Sequence, residues 1–408
     1  MLLRRGRRAN KDIVYKNTML NIKLIKSSFY KEEETKTKLV DFIKTAKTFS
    51  LGGECFKFEK EFAKKQNRKY AVFVSSGSSA NLVLIQALLN LGRLKKKDSV
   101  GFTALTWATN VMPLFQLGLK PVAIDVDLCN LNISMKELGR NITKLDAIFV
   151  TNVLGFCGNM TELSKLCRKH KVMLLEDNCE ALGSSTKGKN LGNWSLASTF
   201  SFFVGHHMST IEGGMICTDD KELHEMLVMV RAHGWSRNLH PDRQVSMQEK
   251  HGISHFHSKY TFYNLAYNAR PTEINGLLGN IQLKHLDEIV KKREQNFHLF
   301  NNALKANPDF IQFDLDHMDI ISNFAMPIIA REAGVIEKYK QRFKDAGVEI
   351  RPVLAGNITT QPFYLKHSRN EHKNCPNTRW IHDNGFYFPN NPELTKAELN
   401  LLKRLLTW

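Results

Sequence analysis

The sequence predicts an α/β fold with a mostly parallel central sheet and a smaller α/β domain toward the C-terminus. Three observations carry this prediction. Over residues 49–232, short β-branched apolar runs alternate with longer segments of helical periodicity. That is the pattern of strands covered on both faces by crossover helices. Polar and glycine-rich stretches fall where such strands would end. Finally, 408 residues with 42% hydrophobic and 24% charged side chains can bury a large core, enough for two domains.

The elements follow in chain order. Residues 1–18 are basic, with RRGRRANK at 4–11, and lack the apolar stretch of a secretory signal. They are expected to stand outside the fold, and a start at Met19 would remove them. Residues 19–285 are expected to form the large domain and 286–408 the small one. YAVFV, at Tyr70–Val74, reads as a strand, followed by SSGSSA and the helical NLVLIQALLNLG. FTALTWATN leads a further apolar segment into a loop. PVAIDVD, LDAIFVTNV and VMLLEDN read as strands, with the helix TELSKLCRKH before the last. STFSFF and GGMICT frame a loop that carries two adjacent histidines, His206 and His207. The polar run at residues 240–260 is expected to be an exposed loop, its histidines solvated rather than metal-binding. One long helix is expected from residue 272 to about 307. SNFAMPIIA, QRFKDAGVEIRPV and LTKAELNLLKRLL then supply the smaller α/β domain.

Bulk properties exclude several functions. The net charge of +18 invites a nucleic-acid reading, but the basic residues are dispersed along the chain. A lysine-rich surface suits a phosphate-bearing small substrate, and no nucleic-acid partner is expected. No apolar run approaches the roughly 18–20 residues that cross a bilayer, so no membrane role is expected. Seven cysteines at irregular spacing, with no CxxC pair, argue for a reducing cytoplasm over a disulfide framework. They also lack the signature of a zinc or iron–sulfur site.

Ligands of a parallel sheet gather at the C-terminal ends of its strands. The chemistry-bearing residues lie there, at 75–81, 106–107, 177–180 and 206–214. SSGSSAN offers free backbone N–H groups and hydroxyls at a helix start, which suits a phosphate or simply caps a turn. Asp177 ends a strand, where a lone carboxylate needs a cationic or hydrogen-bonding partner or serves as a helix cap. Trp107 is either core or a flat wall for a heteroaromatic ring.

Taken in order, FEKEFAKKQNRKYAVFVSSGSSAN, FTALTWATN, EDNCEALGSSTKGKNLGNW, STFSFF with EGGM, and YNARPTEINGLLGNIQLKHL resemble the DegT-type sugar aminotransferase family. The resemblance covers residues 49–288 and implies the aspartate-aminotransferase-like fold (fold type I) of pyridoxal-phosphate enzymes. It implies that Gly77, Ser78, Ser79 and Ser201 hold the cofactor phosphate. Asp177 would pair with the pyridine nitrogen, and Trp107 would stack on the ring. Asn268 would reach the phosphate of a second subunit, which implies a homodimer with a shared active site. Glu180 stands where aminotransferases carry glutamine and is expected at the cofactor or substrate edge.

The family lysine that binds the cofactor covalently falls on His206 in this sequence. The resemblance is thus to the histidine-bearing branch that removes the 3-hydroxyl of nucleotide-linked 4-keto-6-deoxyhexoses. It implies pyridoxal 5'-phosphate and pyridoxamine 5'-phosphate bound without a covalent link, His206 as catalytic base, and L-glutamate as amino donor. The expected substrate is GDP-4-keto-6-deoxy-D-mannose, in deoxysugar assembly for lipopolysaccharide O-antigen. A second histidine-bearing branch uses a [2Fe–2S] cluster. Its closely spaced cysteine motif is missing here, and no cluster is expected. An ordinary aminotransferase and a non-catalytic regulator are the alternatives. His207 takes the family's asparagine position, where it orients His206, touches substrate or is a packed or solvated neighbour. Arg351 and residues 355–357 are either sugar or nucleotide contacts or domain packing.

Overall fold

The computed structural model describes residues 21–368 and 375–407, so the basic N-terminal extension lies outside the described residues. Twelve strands are present among them: β1 Tyr70–Val74, β2 Ser99–Thr103, β3 Lys120–Ile124, β4 Ala147–Thr151, β5 Met173–Asp177, β6 Ser185–Thr186, β7 Lys189–Asn190, β8 Ala197–Ser201, β9 Gly214–Thr218, β10 Met318–Ile320, β11 Ala325–Ile329 and β12 Gly385–Pro389. Seven of them form the central sheet in the order β1-β9-β8-β5-β4-β2-β3. The β3–β2, β2–β4, β4–β5 and β5–β8 pairings are parallel, while β9 runs antiparallel to both β1 and β8.

Helices cover both faces: α1 Glu32–Thr45, α2 Gly53–Gln66, α3 Gly77–Asn90, α4 Ala108–Gln116, α5 Met135–Asn141, α6 Met160–His170 and α7 Lys221–Arg231. Side chains of a strand alternate between faces, and β1 uses both. Val72 and Val74 join Val83, Leu84 and Ala87 of α3, whereas Ala71 and Phe73 join Phe58 and Phe62 of α2. This two-sided burial explains why the strands read as nearly continuous apolar runs.

The polar run at residues 240–260 is helical rather than a loop. Pro241 opens α8 Pro241–His251, Gly252 closes it at φ 62°, and Ser254 caps α9 His255–Ser258. Only Met247 of α8 is buried, so the segment still lies on the surface. The single helix expected from residue 272 is also two: α10 Glu273–Leu283 and α11 Leu286–Lys305. α10 lies close on α2, where a Cβ on Gly276 would stand 2.5 Å from the Cys55 amide nitrogen. After the break the chain turns to a second core, where Phe297, Phe300 and Leu304 of α11 pack with β11 and β12. The antiparallel β11–β12 pair, α12 Val335–Asp345, α13 Pro362–His367, α14 Pro376–Asn384 and α15 Lys396–Leu405 complete this C-terminal part. Ile22 bridges Val348, and both Ile22 and Leu24 are buried in this second core, because an apolar pair outside the sheet needs that cover.

Candidate active site

The C-terminal ends of β1, β5 and β8 open on a cavity of about 460 Å³. Gly77, Ser78, Trp107, Asp177, Glu180, Ser201, His206 and Arg351 all line it. Ser79, His207 and Asn268 do not.

At the end of β1 the chain enters α3 through Ser76, whose hydroxyl caps the helix by accepting from the Ser79 amide at 3.0 Å. The first-turn amides of a helix have no intrahelical acceptor and favour an anion. Ser79 turns its hydroxyl back to Ser75 and Ser76, at 2.9 and 2.8 Å, and so stiffens the loop. Gly77 must be glycine because α3 starts against β8. A Cβ there would meet Ser201 Cβ at 2.7 Å and Cys179 Sγ at 3.1 Å. Overpacking of this kind costs about 1–3 kcal/mol. We therefore expect Gly77→Ala to weaken pyridoxal phosphate binding by about tenfold or more, read by spectroscopic titration.

Asp177 is 4% exposed at the end of β5. Its Oδ2 accepts from Asn81 at 2.9 Å and Asn110 at 3.4 Å, and its Oδ1 from the Cys179 amide at 3.0 Å. Thr199 Oγ1 donates to Asn81 Oδ1 at 2.7 Å and fixes that amide. Among the described residues no cation pairs with Asp177. A buried carboxylate with neutral donors only is completed by a ligand N–H that carries positive charge. Trp107, at the start of α4, is 54% exposed despite its size and presents its ring to the cavity wall. These residues fit a phosphorylated pyridine: an anion cradle, a carboxylate and an unpaired flat ring face one space.

The opposite wall is acid and apolar. Glu180 Oε2 accepts from the Leu154 amide at 3.0 Å. Burial, opposed by that hydrogen bond and helped by the charge of Asp177, raises its carboxyl to about 8. Glu180 therefore holds its proton more tightly than an ordinary carboxyl. Burial also pushes the Tyr387 phenol up to about 12. Arg351 reaches the cavity from the C-terminal part and pairs with Glu349 Oε1 at 3.0 and 2.7 Å.

His206 follows β8 in a tight loop, its amide donating to the Phe203 carbonyl at 2.9 Å. Its ring meets Phe203 and Phe324 edge to face, with centroids at 5.7 and 5.3 Å. Nδ1 is buried without a hydrogen-bond partner. Burial, followed by the Arg293 charge, lowers this imidazole to about 4, so it is neutral at neutral pH. His207 is 3% exposed, and its Nε2 lies 2.8 Å from the Ser322 carbonyl. With that contact His207 packs beside His206 and is not among the residues that line the cavity. Asn268 bridges Ala232 in the backbone and accepts from Arg270 Nε at 2.9 Å, outside the cavity of its own chain.

Sequence reasoning missed Phe324, Tyr387 and the N-terminal Leu24 and Ile25, all of which line the cavity. None carries a local motif. Arg293 left a signal, since it interrupts the apolar stripe Leu286, Ile289, Phe297 and Phe300 at helical spacing.

The sequence pattern of the DegT/DnrJ/EryC1/StrS aminotransferase family matches residues 30–404. The chain is 34% identical over 394 residues to the GDP-4-keto-6-deoxy-D-mannose 3-dehydratase of Escherichia coli O55:H7, covering 95% of this chain and 100% of that one. Among solved structures it is similar to a histidine-to-asparagine variant of GDP-4-keto-6-deoxymannose-3-dehydratase with bound GDP-perosamine. That match has 32% identity and a TM-score of 0.86, covering 95% of this chain and 100% of the other. A second structure of GDP-4-keto-6-deoxymannose-3-dehydratase holds a trapped PLP–glutamate geminal diamine. It matches with 32% identity, a TM-score of 0.85 and the same coverage.

Proposed function

The chain belongs to the DegT/DnrJ/EryC1/StrS aminotransferase family, and from that premise we propose that it is a pyridoxal-phosphate-dependent sugar 3-dehydratase. Its substrate is a nucleotide-linked 4-keto-6-deoxyhexose, GDP-4-keto-6-deoxy-D-mannose in first place, and L-glutamate is its amino donor. One observation carries the reading. A neutral histidine, His206, stands in the cavity where the family carries its covalent lysine, and among the described residues no lysine lines that cavity.

The residues divide the work. The first turn of α3, with Ser201, holds the cofactor phosphate. Asp177 faces the pyridine nitrogen, and Trp107 covers the ring. Bound there, pyridoxamine phosphate supplies an amine for the C4 ketone and a conjugated ring that stores electrons while the C3–O bond breaks. His206 accepts a proton on its imidazole and delivers it toward the departing hydroxyl, which leaves as water. A lysine at this position would add a competing amine and favour transamination. Leu24, Ile25, Phe203 and Phe324 wall the cavity with apolar surface and limit water near the imidazole.

The proposal extends to a homodimer in which Asn268 serves the partner's cavity. Supporting it, Phe256, Tyr260, Phe262 and Leu265 are 84%, 74%, 59% and 76% exposed on the segment that leads to Asn268. Exposed apolar groups clustered in this way mark an interaction surface. Seven cysteines at irregular spacing, with no CxxC pair, suit a reducing compartment, and we place the protein in the cytoplasm.

Incubation with pyridoxamine phosphate, glutamate and GDP-4-keto-6-deoxymannose is expected to yield 2-oxoglutarate, ammonia and a 3,6-dideoxy-4-ketosugar. An amino sugar as product would overturn the dehydratase reading in favour of an aminotransferase. Bound cofactor with neither product would favour a regulator. Borohydride treatment of the cofactor-loaded protein is expected to leave every lysine unmodified in the intact mass spectrum.

A further inference from the structure

Arg293 sits on α11 and is 3% exposed, yet among the described residues no carboxylate pairs with it. Its two terminal nitrogens donate to main-chain carbonyls instead, while Nε is buried without a partner among the described residues. Nη1 donates to Phe324 O at 2.7 Å and to Asn390 O, and Nη2 donates to His206 O at 3.3 Å. The three acceptors belong to separate segments: the loop after β8, the entry to β11 and the exit from β12. Two of them flank the reaction. Phe324 is the ring that meets His206 edge to face, and His206 is the candidate base. One planar fork therefore ties the backbone of the imidazole to the backbone of the ring that clamps it. A leucine would satisfy the apolar stripe of α11, but it could not donate to any of these carbonyls.

We propose that Arg293 is a positioning residue, which fixes the His206 backbone against that of Phe324 and places a buried positive charge 3.3 Å from the His206 carbonyl. The inference rests on His206 being the catalytic base. Other titratable groups also face this space. His207 adjoins it on the same loop, and Asp177 and Glu180 come from the end of β5. Glu212 lies beyond the histidine pair, and Arg351 and Tyr387 come from the C-terminal part. Against His206 itself, burial acts first and Arg293 second, both disfavouring the imidazolium. Removing the guanidinium therefore moves the titration upward, toward the ordinary histidine range.

The test reads the imidazole directly, in cofactor-free protein with ¹⁵N-labelled histidine, the His206 signals being assigned with His206→Asn. Arg293→Met is expected to raise the His206 titration midpoint by about one unit or more. Arg293→Lys keeps the charge and loses the fork. It is expected to hold the midpoint within a few tenths of a unit, while kcat falls about tenfold or more and KM changes less than threefold. A midpoint that stays put in folded Arg293→Met overturns the electrostatic part. Should that variant not fold, unchanged kcat in Arg293→Lys overturns the positioning part. A purely structural role would lower the melting temperature in both variants and move neither the midpoint nor kcat. Absence of sugar dehydration by the wild-type protein would overturn the proposed function while leaving the titration result standing.

Discussion

His206→Asn is expected to lower the rate of 3-dehydration by about a hundred- to ten-thousand-fold, the usual contribution of a positioned acid–base group. The asparagine amide fills much of the same space between Phe203 and Phe324 but cannot take up a proton. Cofactor binding should change little, because the first turn of α3, Ser201 at the end of β8 and Asp177 at the end of β5 all keep their places when the imidazole alone is exchanged. The loss should therefore fall on kcat, with pyridoxal phosphate still bound in a spectroscopic titration. His206→Lys is a sharper version. It should suppress elimination and create a borohydride-reducible adduct, since it restores the amine that the family ordinarily carries. Dehydration that persists in either variant would remove His206 from the reaction.

Asp177→Asn is expected to weaken pyridoxal phosphate binding by about thirtyfold to a few thousandfold. This corresponds to about 2–5 kcal/mol for losing one partner of a buried, hydrogen-bonded charge pair. Asn81, Asn110 and the Cys179 amide all donate to this side chain. An amide in its place turns one donor against another and offers no charge to a protonated pyridine. The cofactor-free variant should lose far less stability than cofactor affinity, because no protein cation depends on Asp177. Equal cofactor affinity in Asp177→Asn and wild type would contradict the assignment.

How much of this was legible in advance depends on the range of the interactions involved. The strands β1, β4 and β5 were readable because burial on both faces leaves an apolar run in the sequence itself. The phosphate cradle was readable for a similar reason: strand, small residues and helix start are contiguous. Helix α8, Pro241–His251, was misread because its stripe holds one buried residue, Met247, and its ends are set by Pro241 at the start and Gly252 after the last turn. The break between α10 and α11 was missed because both halves are helical in periodicity. Only packing against two different cores separates them.

The sequence by itself determined the α/β class, the order of the cofactor-facing loops and the exchange of lysine for histidine at position 206. Each rests on residues that are neighbours in the chain, or on a pattern repeated along it. The tertiary structure alone decided which of two adjacent histidines faces the cavity. The Ser322 carbonyl captures His207, and Phe203 and Phe324 frame His206. It also decided that a buried arginine, 87 residues from His206, holds its backbone. Side-chain direction in a loop and the field at a buried imidazole come from groups distant in sequence, and only the folded chain brings them within a few ångströms.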